Sequence, residues 1–119
     1  MIQNVTIWHN PRCSKSRQTL ALLEERGIEF EVRRYLDDPP DAQTLSKVLD
    51  AMAMEPRDLM RRKEDEYRKF GLENPEMTRG ELIAAMAEHP RLIERPVVIA
   101  GQRAALGRPP ENVLTLFDD

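Results

Sequence analysis

Asn4-Val5-Thr6-Ile7-Trp8-His9-Asn10-Pro11-Arg12-Cys13-Ser14-Lys15-Ser16-Arg17 changes character twice along its length. Asn4 to Trp8 alternates β-branched and aromatic side chains, the pattern of a strand. His9 to Cys13 breaks it, because Pro11 cannot continue a central strand. Ser14 and Ser16 then suit a helix start, and Leu20 and Leu23 follow at helical spacing. Gly27 is a natural C-terminal stop. Ile28 to Leu36 alternates again, with Ile28, Phe30 and Val32 on one face, and predicts a second strand. Strand, helix and strand with short joins make a βαβ unit, so the two strands run parallel.

Beyond this unit the pattern turns helical. Asp38-Pro39-Pro40-Asp41 is a turn, and Leu45, Val48, Leu49 and Met52 form the buried stripe of the helix that follows. Met54 to Phe70 is more charged and predicts one or two short helices, broken near Pro56. Gly71 to Pro75 is loop. Thr78-Arg79-Gly80-Glu81 fits a capping box, and the helix it starts carries Leu82, Ile83 and Met86 before Pro90 closes it. Val97 to Ala100 is an apolar strand. Gly101-Gln102 suits a type II′ hairpin turn, with Arg103 to Leu106 returning antiparallel. Pro109-Pro110 opens a last helix, with Val113, Leu114 and Phe117 facing inward. The order is βαβ, a helical block, then ββα. It predicts an α/β fold: one thioredoxin-like domain over residues 1–119, with a mixed four-stranded sheet and a helical insertion at about 41–90.

Bulk properties exclude several classes of function. The chain has 119 residues, enough for one domain, and a net charge of −3, which gives no nucleic-acid footprint. Its apolar runs are too short to span a bilayer, so no membrane association is expected. Met1 to Trp8 lacks the charged-then-apolar layout of a secretion signal, and the expected location is cytoplasmic. The single cysteine cannot form an internal disulfide or a cysteine-based zinc cluster. The two histidines, His9 and His89, lack metal-ligand spacing, so no metal is expected. Trp8 and the methionines at helical spacing read as core. The alternating charges from Arg61 to Lys69 read as a solvated helix face.

The chemistry therefore centres on Cys13. A thiol becomes a nucleophile when it ionises. At a helix N-terminus, unpaired N–H groups and the helix dipole favour an anion. Arg12, Lys15 and Arg17 add positive charge, and the hydroxyls of Ser14 and Ser16 are candidate donors to the sulfur. The same N–H groups suit an oxyanion beside the thiol. Cys-x-x-Cys is the usual dithiol pattern, but here the second position is Ser16. An oxidised or modified Cys13 must therefore be released by an external thiol. The Cys-x-x-x-Arg spacing of Cys13 and Arg17 is shorter than the Cys-x5-Arg loop of tyrosine phosphatases.

His9-Asn10-Pro11-Arg12-Cys13-Ser14-Lys15-Ser16-Arg17 resembles the active-site segment of the glutaredoxin-dependent arsenate reductase family. The likeness continues, in order, through Tyr35-Leu36-Asp37-Asp38-Pro39-Pro40, Leu59-Met60-Arg61-Arg62-Lys63, Glu94-Arg95-Pro96-Val97-Val98 and Gly107-Arg108-Pro109-Pro110. The resemblance implies a cysteine thiolate, at Cys13, that attacks arsenate to form a covalent adduct. Glutathione is then the co-substrate, glutaredoxin the protein partner, and no cofactor is bound. It implies that Arg61, Arg95 and Arg108 bind the oxyanion, that His9 acts beside the thiol, and that Asn10, Ser16 and Arg17 belong to the active-site loop. It also implies that Pro96 is the cis-proline beside the cysteine.

The residues themselves agree with such a role. An anionic nucleophile meeting an anionic substrate is repelled, and forked guanidiniums offset that repulsion. Arg62 is an alternative to Arg61 if the register differs by one. His9 reads equally as a structural, hydrogen-bonded ring or as a group that sets the ionisation of the thiol. Two other functions fit parts of the pattern. One is a monothiol, glutathione-linked oxidoreductase without arsenate specificity. The other is a redox-related regulator that binds RNA polymerase, which the missing second cysteine disfavours.

Overall fold

The computed structural model describes residues 4–117. They divide into two compact units, residues 4–38 with 95–117, and Pro39–Glu94.

The first unit is built on a four-stranded sheet in the order β2-β1-β3-β4, with β1 at Val5–Trp8, β2 at Glu31–Arg33, β3 at Val97–Ala100 and β4 at Arg103–Leu106. β1 runs parallel to β2 and antiparallel to β3, and β3 is antiparallel to β4. This is the mixed sheet expected from βαβ followed by ββα. Helix α1, Ser14–Glu25, follows β1. Alternate strand residues Val5, Ile7, Val98 and Ala100 form one apolar face with Leu23 of α1 and with Val113 and Leu116 near the C-terminus. A fully buried side chain such as Ile7 or Leu23 contributes about 1.5–3 kcal/mol relative to exposure.

The local signals act where they stand. Gly27, at φ 67°, donates its N–H to the Glu24 carbonyl, and Ile28 donates to Leu23. These two bonds form a Schellman motif that satisfies carbonyls at the end of α1. Gly101 has φ 62°, and the only non-glycine with positive φ among the described residues is Ala53. Gln102 is therefore at negative φ, as a type II′ turn requires and a type I′ turn forbids.

Two expectations are corrected in this unit. The second strand spans Glu31–Arg33, not Ile28–Leu36. Its start is lost because the Ile28 N–H is committed to closing α1, and its end because Asp37 and Asp38 both donate to the Arg34 carbonyl and turn the chain. Ile28 and Phe30 still pack on the core, but Val32, on the edge strand, is 46% exposed. The last helix is a 3-10 helix, Pro110–Phe117. Three residues per turn align positions i, i+3 and i+6, so Pro110, Val113 and Leu116 are buried. Leu114, which an α-helical period turns inward, is only partly so.

The second unit contains α2 (Ala42–Met52), α3 (Asp65–Lys69) and α4 (Arg79–Glu88), with 3-10 turns at Pro56–Leu59 and Pro90–Leu92. The helical block read at about 41–90 lies inside it. Asp41 caps α2 through Thr44 N at 2.8 Å. Thr78 and Glu81 form the expected capping box, at 3.2 and 2.8 Å. Arg79 ties α4 to α2 through Asp50 at 2.9 Å. No helix among the described residues is long and apolar enough to cross a membrane.

Candidate active site

Cys13 is the N-cap of α1, with extended backbone at φ −96° and ψ 125°. The loop that delivers it is held by its own side chains. Asn10 Oδ1 accepts from Arg12 N at 3.0 Å, and the Asn10 carbonyl accepts from Cys13 N at 3.0 Å. Arg17 Nη1 donates to the Pro11 carbonyl at 2.8 Å. The Cys13 carbonyl accepts from Arg17 N, the first bond of the helix. These contacts pin both sides of the turn, so the thiol is presented at a helix start whose N–H groups lack intrahelical partners.

Ser16 has a different place from the one expected. Its side chain is fully buried and faces His9, not the sulfur: Oγ lies 2.6 Å from His9 Nδ1 and accepts from Asn10 N at 3.0 Å. With Oγ already accepting from Asn10 N, the hydroxyl hydrogen of Ser16 is available to Nδ1, which corresponds to the tautomer with the ring hydrogen on Nε2. His9 N in turn donates to the Arg33 carbonyl at 2.9 Å. Burial, with smaller contributions from the charges of Arg34 and Arg17, holds the His9 pKa below its ordinary 6.5. A neutral ring suits the acceptor role.

Cys13 is 8% exposed. Burial alone pushes its pKa up. The backbone N–H of Ser16, a hydrogen bond and the charge from Arg95, and the backbone N–H of Lys15 together outweigh that and hold it below the ordinary 9.0. The helix start therefore acts through its amides, which favour the ionised sulfur without a close capping bond of the kind a serine makes. The flanking cations contribute little: Arg12 and Lys15 are exposed, and Arg17 is turned to Pro11.

The charge comes from the far end of the chain. Arg95 precedes Pro96 across a cis peptide bond, as expected, and the Arg108–Pro109 bond is also cis. Arg108 Nε donates to the Arg95 carbonyl at 2.8 Å, and its Nη2 lies 3.8 Å from Cys13 Sγ, a long N–H···S contact. Arg95 is therefore the stronger partner of the sulfur and Arg108 the weaker. Two predicted arginines and the cysteine converge in one unit, from positions 13, 95 and 108.

Arg61 belongs to the second unit. Its backbone N–H donates to the Leu92 carbonyl at 2.7 Å, next to a bridge between Met60 and Ile93. Its side chain pairs closely with Glu64 and lies 3.9 Å from Glu94. Arg62 is more exposed and donates to the Arg57 carbonyl. The helix-start amides expected to act on the thiol are those of Ser16 and Lys15. One contributor escaped the sequence reading, the charge of Arg34 on His9, because Arg34 stands just past the end of a strand that is shorter than its sequence pattern.

A profile of the ArsC family matches residues 8–116. An arsenate reductase of Neisseria meningitidis is 50% identical over 110 residues, covering 92% of this chain and 94% of the relative. An uncharacterised protein of Escherichia coli, YfgD, is 50% identical over 117 residues and 98% of each chain. Among solved structures, an arsenate reductase from Vibrio cholerae superposes with a TM-score of 0.92 at 46% identity, covering 97% of this chain and 98% of that one.

Proposed function

The chain belongs to the ArsC family, and from that premise we propose that it is a thiol-dependent arsenate reductase whose nucleophile is Cys13. One observation carries the reading. A thiol held below its ordinary pKa sits at a helix start with two guanidiniums, Arg95 and Arg108, at its sulfur. Such a site favours a thiolate and offers forked donors to an approaching oxyanion.

The chemistry follows in balanced steps. The Cys13 thiolate attacks arsenic, a sulfur–arsenic bond forms and an oxygen leaves as water after taking up protons. Arg95 and Arg108 offset the negative charge that accumulates as the two anions meet. A glutathione thiol then adds to arsenic, and a second oxygen leaves as water. A second thiol, delivered through glutaredoxin, attacks the glutathione sulfur, breaking its bond to arsenic and leaving the electron pair there. Water finally cleaves the Cys13 sulfur–arsenic bond. Two thiols together yield two electrons and become a disulfide, while arsenic(V) becomes arsenic(III) and leaves as arsenite. Cys13 returns unchanged. The absence of a second cysteine in the chain supports an external thiol donor. Asn10 and Arg17 hold the loop, and His9 acts through Ser16 to fix the first turn of α1. A dependence on reducing thiols supports a cytoplasmic location.

The test is a coupled assay. Purified protein is given arsenate, glutathione and glutaredoxin, and NADPH consumption is followed through glutathione reductase. Arsenate-dependent turnover that disappears in Cys13→Ser is expected. No arsenate-dependent turnover at any protein level would sink the proposal. Glutathione-linked turnover without arsenate dependence would favour the monothiol oxidoreductase instead.

A further inference from the structure

Gly107 stands where β4 leaves the sheet, and its N–H donates to the Pro96 carbonyl at 2.8 Å. Its φ lies outside the left-handed region, so conformational freedom does not explain a glycine here. Space does. A Cβ at this position would lie 2.7 Å from Pro96 Cγ, 2.7 Å from Thr19 Oγ1 and 3.3 Å from Pro96 Cδ. Real Cβ contacts do not reach 2.7 Å, so something must shift. The proline ring is stiff. Thr19 is fully buried, and its hydroxyl is committed to the Lys15 carbonyl at 2.8 Å. Neither neighbour is the free end of a flexible side chain.

Each of these neighbours is joined to the thiol. Pro96 directly follows Arg95. Thr19 lies on α1, and its bond to the Lys15 carbonyl returns to the turn whose amides face Cys13. Gly107 itself directly precedes Arg108. Two hydrogen bonds staple the segments together, from Gly107 N to the Pro96 carbonyl and from Arg108 Nε to the Arg95 carbonyl. The contact of Arg108 Nη2 with Sγ is already long at 3.8 Å, so a displacement at Gly107 that moves Arg108 away weakens it further.

We propose that Gly107 is a positioning residue for the reaction: the missing side chain lets the 95–96 and 107–108 segments close on α1 tightly enough for both arginines to reach the sulfur of Cys13. The inference rests on Cys13 being the nucleophile but not on the identity of the oxyanion.

Gly107→Ala tests it, with the pH dependence of Cys13 alkylation by iodoacetamide as the readout, since this needs neither arsenate nor a redox partner. The alkylation profile is expected to move to higher pH, with a several-fold loss of rate at neutral pH. Adding Thr19→Ala removes one of the two close contacts and is expected to return the profile part of the way. Arg103→Ala is the structural control. It removes bonds to the Thr115 and Leu116 carbonyls and is expected to lower the melting temperature without moving the profile. A wild-type profile in Gly107→Ala, with or without a lower melting temperature, would overturn the proposal. If that variant does not fold, the double variant is measured in its place under the same criterion. Failure of both to fold assigns Gly107 to stability alone and also overturns it. A wild-type protein inactive on arsenate would sink the proposed function and leave this result standing.

Discussion

The loop at residues 9–17 and the paired segments at 95–96 and 107–108 serve the same sulfur in different ways. The loop is rich in cations, with Arg12, Lys15 and Arg17 close in sequence to Cys13, yet it acts on the thiol through backbone amides. Its side chains hold the loop together. Asn10 bonds Arg12, Arg17 bonds Pro11, and Ser16 joins His9 to Asn10. The distant segments supply the charge, through Arg95 and Arg108. Arg12 and Lys15 are exposed and Arg17 is turned to the Pro11 carbonyl, so nearness along the chain does not bring their charge to the sulfur. Strands brought side by side by the sheet do.

The largest effect expected is complete loss of arsenate turnover in Cys13→Ser, measured in the coupled assay, because a serine hydroxyl does not ionise at neutral pH. Next comes Arg95→Ala. It is expected to cost on the order of a hundredfold in turnover, as removal of a charge-stabilising donor typically does, and to move the alkylation profile to higher pH. If Arg95→Ala unfolds the protein but leaves the specific activity of the folded fraction intact, the division between a structural loop and a charged pair is wrong.

Ser16→Ala probes the loop side. It removes the partner of the buried His9 Nδ1 and of the half-buried Asn10 N, and a loss of about 1–3 kcal/mol in denaturant unfolding is expected. The alkylation profile moves less than in Arg95→Ala, because the backbone N–H of residue 16 remains.

A pH titration of stability gives a smaller signal. The pKa of His9 is held below 6.5 in the folded protein. On acidification the unfolded chain takes up this proton first, so stability falls as pH drops below 6.5 towards the lower folded value. His9→Asn is expected to flatten that decline in thermal melts. Cys13 behaves in the same direction over a higher range. Its folded pKa is below 9.0, so its stabilising contribution is full above that value and is lost as pH falls through the folded pKa. The smallest effect is expected from Lys15→Ala. The alkylation profile stays near that of the wild type, and a large upward displacement would show that the flanking charge matters after all.

Much of the fold was legible where the signal is local. The β1 alternation, Pro11, Gly27, the Thr78–Glu81 box and the Gly101-Gln102 turn each depend on residues a few positions apart, and each stands in the structure as read. The errors lie where a distant or competing contact decided. The second strand is short because the bond that closes α1 takes the Ile28 N–H and the Arg34 carbonyl draws the chain into a turn. The last helix tightened to a 3-10 form, which exchanged Leu114 for Leu116 in the core. In the candidate site, Cys13 and its place at the helix start were legible. The partner of the Ser16 hydroxyl was not, because a hydroxyl suits a ring nitrogen and a thiolate equally well.

The sequence by itself determined that Cys13 stands at the start of a helix and has no second cysteine to resolve it. Composition and spacing decide both. Only the tertiary structure decided which cations act on that sulfur. Charge falls off with distance and with solvent between the groups, so the choice belongs to Arg95 and Arg108, which the sheet carries to the thiol. The neighbours Arg12, Lys15 and Arg17 do not share it. The same structure turned Gly107 from one residue of a motif into the place where a methyl group has no room.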